Sequence, residues 1–302
     1  MHADARKCQG QPGFTPGWTE CLRIPLTAVV LLALYSGLLQ FTGAHASYGE
    51  ANTVSNEIKW QRYERALRPE VVMLGSSMGG RVPVEPMTGP GRRAVNLCLD
   101  GSNAALGAAL LQEDGVWPRL VLIEANTLSL PPSQNDRTLR AHFRSFHNTL
   151  ARSLPVCRAE NRPVTVVFSR LKEWLDGRRA SGQAPTVPGD ADVQQLLARA
   201  SGPSSVPVTG ALADGWVETI RRFRDHGSQV VLVMLPDGGR DRQPDYALAR
   251  RLTSEGALFL DVKGAFPEDR FRYTDGLHLI RTSGLEIAGL IARGVEAHRV
   301  AR

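Results

Sequence analysis

The stretch Val71-Val72-Met73-Leu74-Gly75-Ser76-Ser77-Met78 decides how this chain folds. Four consecutive apolar residues with no polar alternation read as a strand buried on both faces, and Pro69 just before them ends the preceding helix. Buried strands of this kind belong to parallel sheets with helices on either side, where functional side chains collect beyond the carboxyl ends of the strands. Ser77 stands at such an end.

Working outward, the same alternation recurs. Strands are expected at Ala94–Leu99, Leu120–Glu124, Gln229–Leu235 and Ala257–Val262. Helices are expected at Ser55–Leu67, Ala104–Gln112, Gly215–His226, Tyr246–Ser254 and Ser283–Ala297. This is a three-layer α/β/α pattern with a mostly parallel sheet. Between residues 131 and 214 it loosens. Arg137–Leu154 and Val164–Leu175 read as helices carrying Arg140, Arg144, Arg152 and Arg170, with Arg178 just beyond, and Arg179–Pro207 is rich in Gly, Pro, Ala and Ser and reads as a loop or lid. Those arginines suit uronic acid or phosphate groups, or the solubility of an exposed helix.

Near the C-terminus stands Asp275-Gly276-Leu277-His278. A serine hydroxyl needs an imidazole to take its proton during attack, and the imidazole needs a carboxylate to fix its tautomer and offset its charge. Ser77, His278 and Asp275 supply those three roles. Positions three apart on a turn share a face, so one loop can deliver both base and orienter. Taken singly, Gly-Ser-Ser after a strand is also a common strand-to-helix turn, and Asp-Gly a common turn. Their joint occurrence, one after the first strand and the other before the last helix, favours chemistry. No H-E-x-x-H motif and no cysteine pair at zinc-ligand spacing occurs, so neither metal nor cofactor is expected.

The order and surroundings of these strings resemble the SGNH/GDSL hydrolase superfamily, whose first block carries the serine and whose last reads D-x-x-H. The usual G-D-S-L is here Gly75-Ser76-Ser77-Met78, with Ser76 in place of the aspartate, a form similar to membrane-attached branches that modify envelope polymers, such as teichoic-acid D-alanine transfer and alginate O-acetylation proteins. The resemblance implies a flavodoxin-like domain over residues 69–302, with 131–214 as an insertion. It also implies an oxyanion hole made by the Ser77 amide, by Gly101 in Asn96-Leu97-Cys98-Leu99-Asp100-Gly101, and by Asn126 after Leu120–Glu124. The third block lacks both the glycine and the aspartate of the usual G-x-N-D. Each such donor contributes roughly 3–4 kcal/mol in a dry site.

Upstream, Ile24–Phe41 is uncharged and mostly apolar, and with residues 42–44 is about long enough to cross a bilayer. Arg6, Lys7 and Arg23 precede it and no Lys or Arg follows until Lys59, which places the tail 1–23 in the cytoplasm and the rest outside. Ala44-His45-Ala46 also has the form of a signal-peptidase site, so a segment at 24–44 that anchors and one that is cleaved both stay open. Residues 45–68 then form a connecting helix. Cys8 and Cys21 precede the apolar run, whereas Cys98 and Cys157 follow it and have the option of bridging.

The formal charge of +6 is modest and spread along the chain, and no nucleic-acid motif is present. Expected partners are an acylated polysaccharide or acyl donor, the membrane through the N-terminal helix, and membrane-bound acyl-transfer or polysaccharide-export proteins. The expected activity is that of an extracytoplasmic serine esterase or O-acyltransferase, acetyl first. The alternatives are an inactive glycan-binding assembly subunit of the same fold and a lipase or thioesterase.

Overall fold

The computed structural model describes residues 18–43, 45–88, 93–180, 186–200, 210–238 and 246–300. The chain divides into two units, Met1–His45 and Ala46–Arg302.

Among its described residues the first unit holds helix α1 (Trp18–Thr42), with Pro25 inside it. Ile24, Leu26, Val29, Leu31, Leu34, Leu38 and Phe41 are exposed along it. The expected span 24–44 thus lies in a helix as far as Thr42, although among the described residues no helix is long and apolar enough to cross a membrane. Arg6, Lys7, Cys8 and Ala44 lie outside the described residues.

The second unit is α/β. In chain order it holds α2 (Asn52–Arg65), β1 (Val71–Gly75), β2 (Ala94–Cys98), α3 (Ala104–Glu113), β3 (Leu120–Glu124), α4 (Gln134–Phe143), α5 (Phe146–Ser153) and α6 (Pro163–Ala180). There follow α7 (Asp190–Ala200), α8 (Ala211–Asp225), β4 (Gln229–Met234), α9 (Tyr246–Ser254), β5 (Leu258–Asp261), α10 (Val262–Ala265) and α11 (Arg281–Val300). The five strands form one sheet in the order β2-β1-β3-β4-β5. Every neighbouring pair is parallel, with Val71 opposite both Ala94 and Leu120.

Alternation along the strands sends side chains to two cores. Val72, Leu74, Val121, Ile123, Val230 and Leu232 pack with α3, α8 and α9 on one face, joined by Trp60 of α2 and Phe143 of α4. Val71, Met73, Leu120, Leu122, Val231 and Val233 pack with α11 and Leu196 of α7 on the other. In this strand order the chain reverses direction across the sheet between β1 and β3, and the crevice opens at that switch point. Ser77 follows one of these strands and Glu124 ends the other.

Two expectations in the insertion are corrected. The single helix expected over 137–154 is broken into α4 and α5 by an extended Ser145 (φ −70°, ψ 156°), and Asn148 Nδ2 donates to the freed His142 carbonyl at 2.8 Å. The stretch 179–207, expected as a loop or lid, contains α7. Its Val193 and Leu196 are buried against the sheet, so burial of an apolar face outweighed a breaker-rich surrounding composition. Cys98 and Cys157 are both free thiols and form no bridge.

Candidate active site

The turn that carries Ser77 is held by a buried carboxylate. Glu124, at the end of β3, is fully buried. Its Oε2 accepts from the Ser76 amide at 2.8 Å and the Gly79 amide at 3.0 Å, and its Oε1 accepts from Ser76 Oγ at 2.8 Å. The glycine at 75 follows from this. A Cβ there would overlap the Glu124 carboxylate, so only glycine lets the strand end beside it. Burial raises the Glu124 carboxyl above its ordinary value, against the opposing pull of the Ser76 and Gly79 donors. Asn96 of β2 completes the clamp by donating to the carbonyls of Gly79 and Val82, both at 2.8 Å.

His278 sits on a small hairpin. Tyr273 and Leu279 form an antiparallel bridge, and the Thr274 amide donates to the His278 carbonyl at 2.7 Å. At its tip, Asp275 Oδ1 accepts from the amides of Leu277 (3.1 Å) and His278 (2.8 Å), with Gly276 at φ 78° closing the turn. Asp275 Oδ2 lies 2.6 Å from His278 Nδ1, and His278 Nε2 lies 2.8 Å from Ser77 Oγ. A carboxylate only accepts, so Nδ1 carries the proton and Nε2 is left to accept from the serine hydroxyl. That is the tautomer a base needs. Burial works against charge on Asp275, but the His278 amide, the His278 ring and the Leu277 amide outweigh it and hold the carboxyl well below the usual carboxylate range. The three residues singled out by sequence, Ser77, Asp275 and His278, therefore meet.

The expected oxyanion donors fare unequally. The Ser77 amide has no partner among the described residues. Gly101 occupies a turn at φ 72°, one residue beyond Asp100; Asp100 lines the cavity that holds Ser77 and His278, and Gly101 is not among its lining residues. Asn126 is likewise not among the residues that line the cavity. Its Nδ2 donates to the Leu235 carbonyl and its Oδ1 accepts the Leu235 amide, both at 2.8 Å, so the side chain ties β3 to the end of β4.

That cavity measures about 270 Å3 and is walled largely by residues outside the expected motifs, among them Tyr48, Lys59, Arg81, Phe168 and Lys172. Lys59 of α2 donates to the Cys98 carbonyl at 2.6 Å and to Asp100 Oδ1 at 2.7 Å, which fixes the loop after β2. The amides of Ser47 and Tyr48 reach Ser169 Oγ of α6 at 2.8 and 3.3 Å, which joins the connecting segment to the insertion as one wall. The only local signal for Glu124 was a charge ending the apolar run Leu120–Ile123. No family model, no curated protein and no solved structure matches this chain.

Proposed function

We propose that this protein is a serine esterase or O-acyltransferase of the SGNH/GDSL type, with its catalytic domain outside the cytoplasm and acting on cell-envelope or exported polysaccharide. The observation that carries the reading is the continuous line Asp275–His278–Ser77, with both contacts at hydrogen-bond distance, an arrangement in which the carboxylate favours the proton on Nδ1. Ser77 Oγ attacks an acyl carbonyl while His278 Nε2 takes its proton. Asp275 holds the resulting imidazolium, and the Ser77 amide stabilises the oxyanion. Collapse breaks the ester C–O bond, His278 returns the proton to the departing alcohol, and the acyl group stays on Ser77. Water or a sugar hydroxyl, deprotonated by His278, then attacks the acyl carbon; the Ser77 Oγ–acyl bond breaks and His278 returns the proton to Ser77 Oγ.

The cavity favours a short acyl group such as acetyl. Its charged lining, with Lys59, Arg81, Asp100 and Lys172 around Ser77, suits a polar acceptor better than a lipid tail. Membrane attachment through α1 is supported by its exposed apolar side chains, and the basic residues before the run favour a cytoplasmic N-terminus. A membrane-bound acyl donor or export protein is the corresponding partner. One observation favours a second reading, an inactive glycan-binding subunit of the same fold: both polar atoms of the Asn126 side chain bond the Leu235 backbone, and Asn126 does not line the cavity of Ser77 and His278.

A fluorophosphonate probe and p-nitrophenyl acetate separate the two. The parent protein should be labelled and should hydrolyse the ester, and Ser77→Ala should lose labelling and about 10⁴-fold or more of the turnover. Labelling that survives Ser77→Ala would reject the esterase assignment.

A further inference from the structure

The arginines expected to read anions are already engaged. Arg140 pairs with Glu113, Arg144 with Asp114 at 2.5 Å, Arg152 with Glu64, and Arg170 with Glu173 at 3.3 Å. Two other cations are different. Arg81 follows the nucleophile turn and Lys172 lies on α6; both line the cavity that contains Ser77 and His278. Among the described residues neither side chain has a hydrogen bond or an ion pair. Instead they share one aromatic ring, with the Arg81 guanidinium 5.5 Å and the Lys172 ammonium 4.6 Å from the centre of Tyr48.

Such an arrangement stores repulsion. Burial and the nearby Arg81 charge push the Lys172 ammonium below the ordinary lysine value, with Asp176 and Asp100 opposing. The nearby acids offset it only in part: Asp100 is taken by Lys59, Asp176 and Asp275 line an adjoining cavity with Arg81 and Lys172 but form no ion pair with either, and Glu50 is exposed where it lines the cavity of Ser77. Two cations converging on an open cavity with a shared aromatic platform form a receptor for an anion, and the anion would replace mutual repulsion with charge-assisted hydrogen bonds.

We propose that Arg81, Lys172 and Tyr48 form an anion subsite beside Ser77, so that the preferred substrate is a glycan carrying an acidic group, a uronate carboxylate or a phosphodiester, close to the ester. This rests on the esterase reading for the word substrate, but the subsite itself is testable by binding alone. The full chain is titrated with hexagalacturonate, with a glycerol-phosphate hexamer and with neutral xylohexaose. One of the two acidic oligomers should bind about tenfold more tightly than the neutral one, and which of them wins identifies carboxylate or phosphodiester as the group recognised. The preference should shrink as salt rises from about 50 to about 200 mM. Arg81→Gln combined with Lys172→Gln should remove most of it, whereas Arg81→Lys with Lys172→Arg should retain most of it. Equal binding of neutral and acidic oligomers by the parent, or a preference intact in the double Gln variant, would overturn the subsite. Selectivity without fluorophosphonate labelling would instead sink the esterase reading and leave the subsite standing; labelling without selectivity does the reverse.

Discussion

The two halves of the proposed triad are built in opposite ways. Ser77 rides on a turn clamped across the sheet by Glu124 from β3 and Asn96 from β2, with Glu124 wholly inside the protein. Asp275 and His278 ride on a hairpin that folds on itself through its own amides, with the Asp275 side chain 55% exposed and that of His278 22%. Damage to the first half should therefore reach stability and activity together, because its supports are core groups with nowhere else to turn. Damage to the second should reach activity with little cost to the fold.

Glu124→Gln is the largest test of the first half. Glutamine offers one accepting oxygen where the carboxylate accepts from Ser76 N, Ser76 Oγ and Gly79 N, and its amide nitrogen brings donors toward donors. Leaving a buried donor unsatisfied costs about 1–3 kcal/mol, and in a domain of this size each kcal/mol lowers Tm by roughly 2–4 °C. Thermal melting should show that loss, and fluorophosphonate labelling of Ser77 should slow by about 10²-fold as the nucleophile drifts. A variant that melts like the parent and labels at the parent rate would show that the clamp does not position the serine.

This contrast also explains what the sequence made legible. The hairpin half is local: Asp275 and His278 lie three residues apart, and their mutual geometry is a property of a short turn. The strand before Ser77 is legible for a similar reason, since a run such as Val71–Leu74 needs no partner to declare itself buried. Glu124 acts on Ser76 from 48 residues away, and only the pairing of β1 with β3 brings it there. The bonds that tie Asn126 to Leu235 were hidden for the same reason, because they span 109 residues. The arginines of α4, α5 and α6 were half legible. Helical character is readable there, although one helix is expected where α4 and α5 stand, but the acids that neutralise Arg140, Arg144 and Arg152 come from α2, α3 and the turn after α3, which no local pattern reveals.

Gly238→Ala tests the second half. Gly238 sits at φ 67°, and a Cβ there would run into the carbonyl of Gly276 at the tip of the hairpin. Alanine therefore must push the Asp275–His278 turn aside, and a displacement on the order of 1 Å in a reacting group costs about 10²-fold in rate. Because the hairpin tip is exposed, melting should fall only by the backbone strain of a positive φ, about 1 kcal/mol. Slow turnover of p-nitrophenyl acetate with a nearly parental melt is the expected pair of results. An equal fall in both would show that the hairpin is as much part of the core as the nucleophile turn.

The smallest expected effect concerns acid. Asp275 has a folded-state carboxyl held below its unfolded value of about 3.9, so the unfolded chain binds the proton first as pH drops. Its contribution to stability is present above that unfolded value and is lost as pH falls through the folded one. Asp275→Asn lacks this contribution at every pH. The melting gap between parent and variant should thus be open at pH 6 and close progressively below about pH 4. Exposure of the carboxylate screens the interaction, so the gap at pH 6 should be about 2 °C or less. A gap that widens in acid would mean that the hairpin amides do not favour the charged form. A gap of many degrees would mean that this turn, like the one around Glu124, is braced by the core.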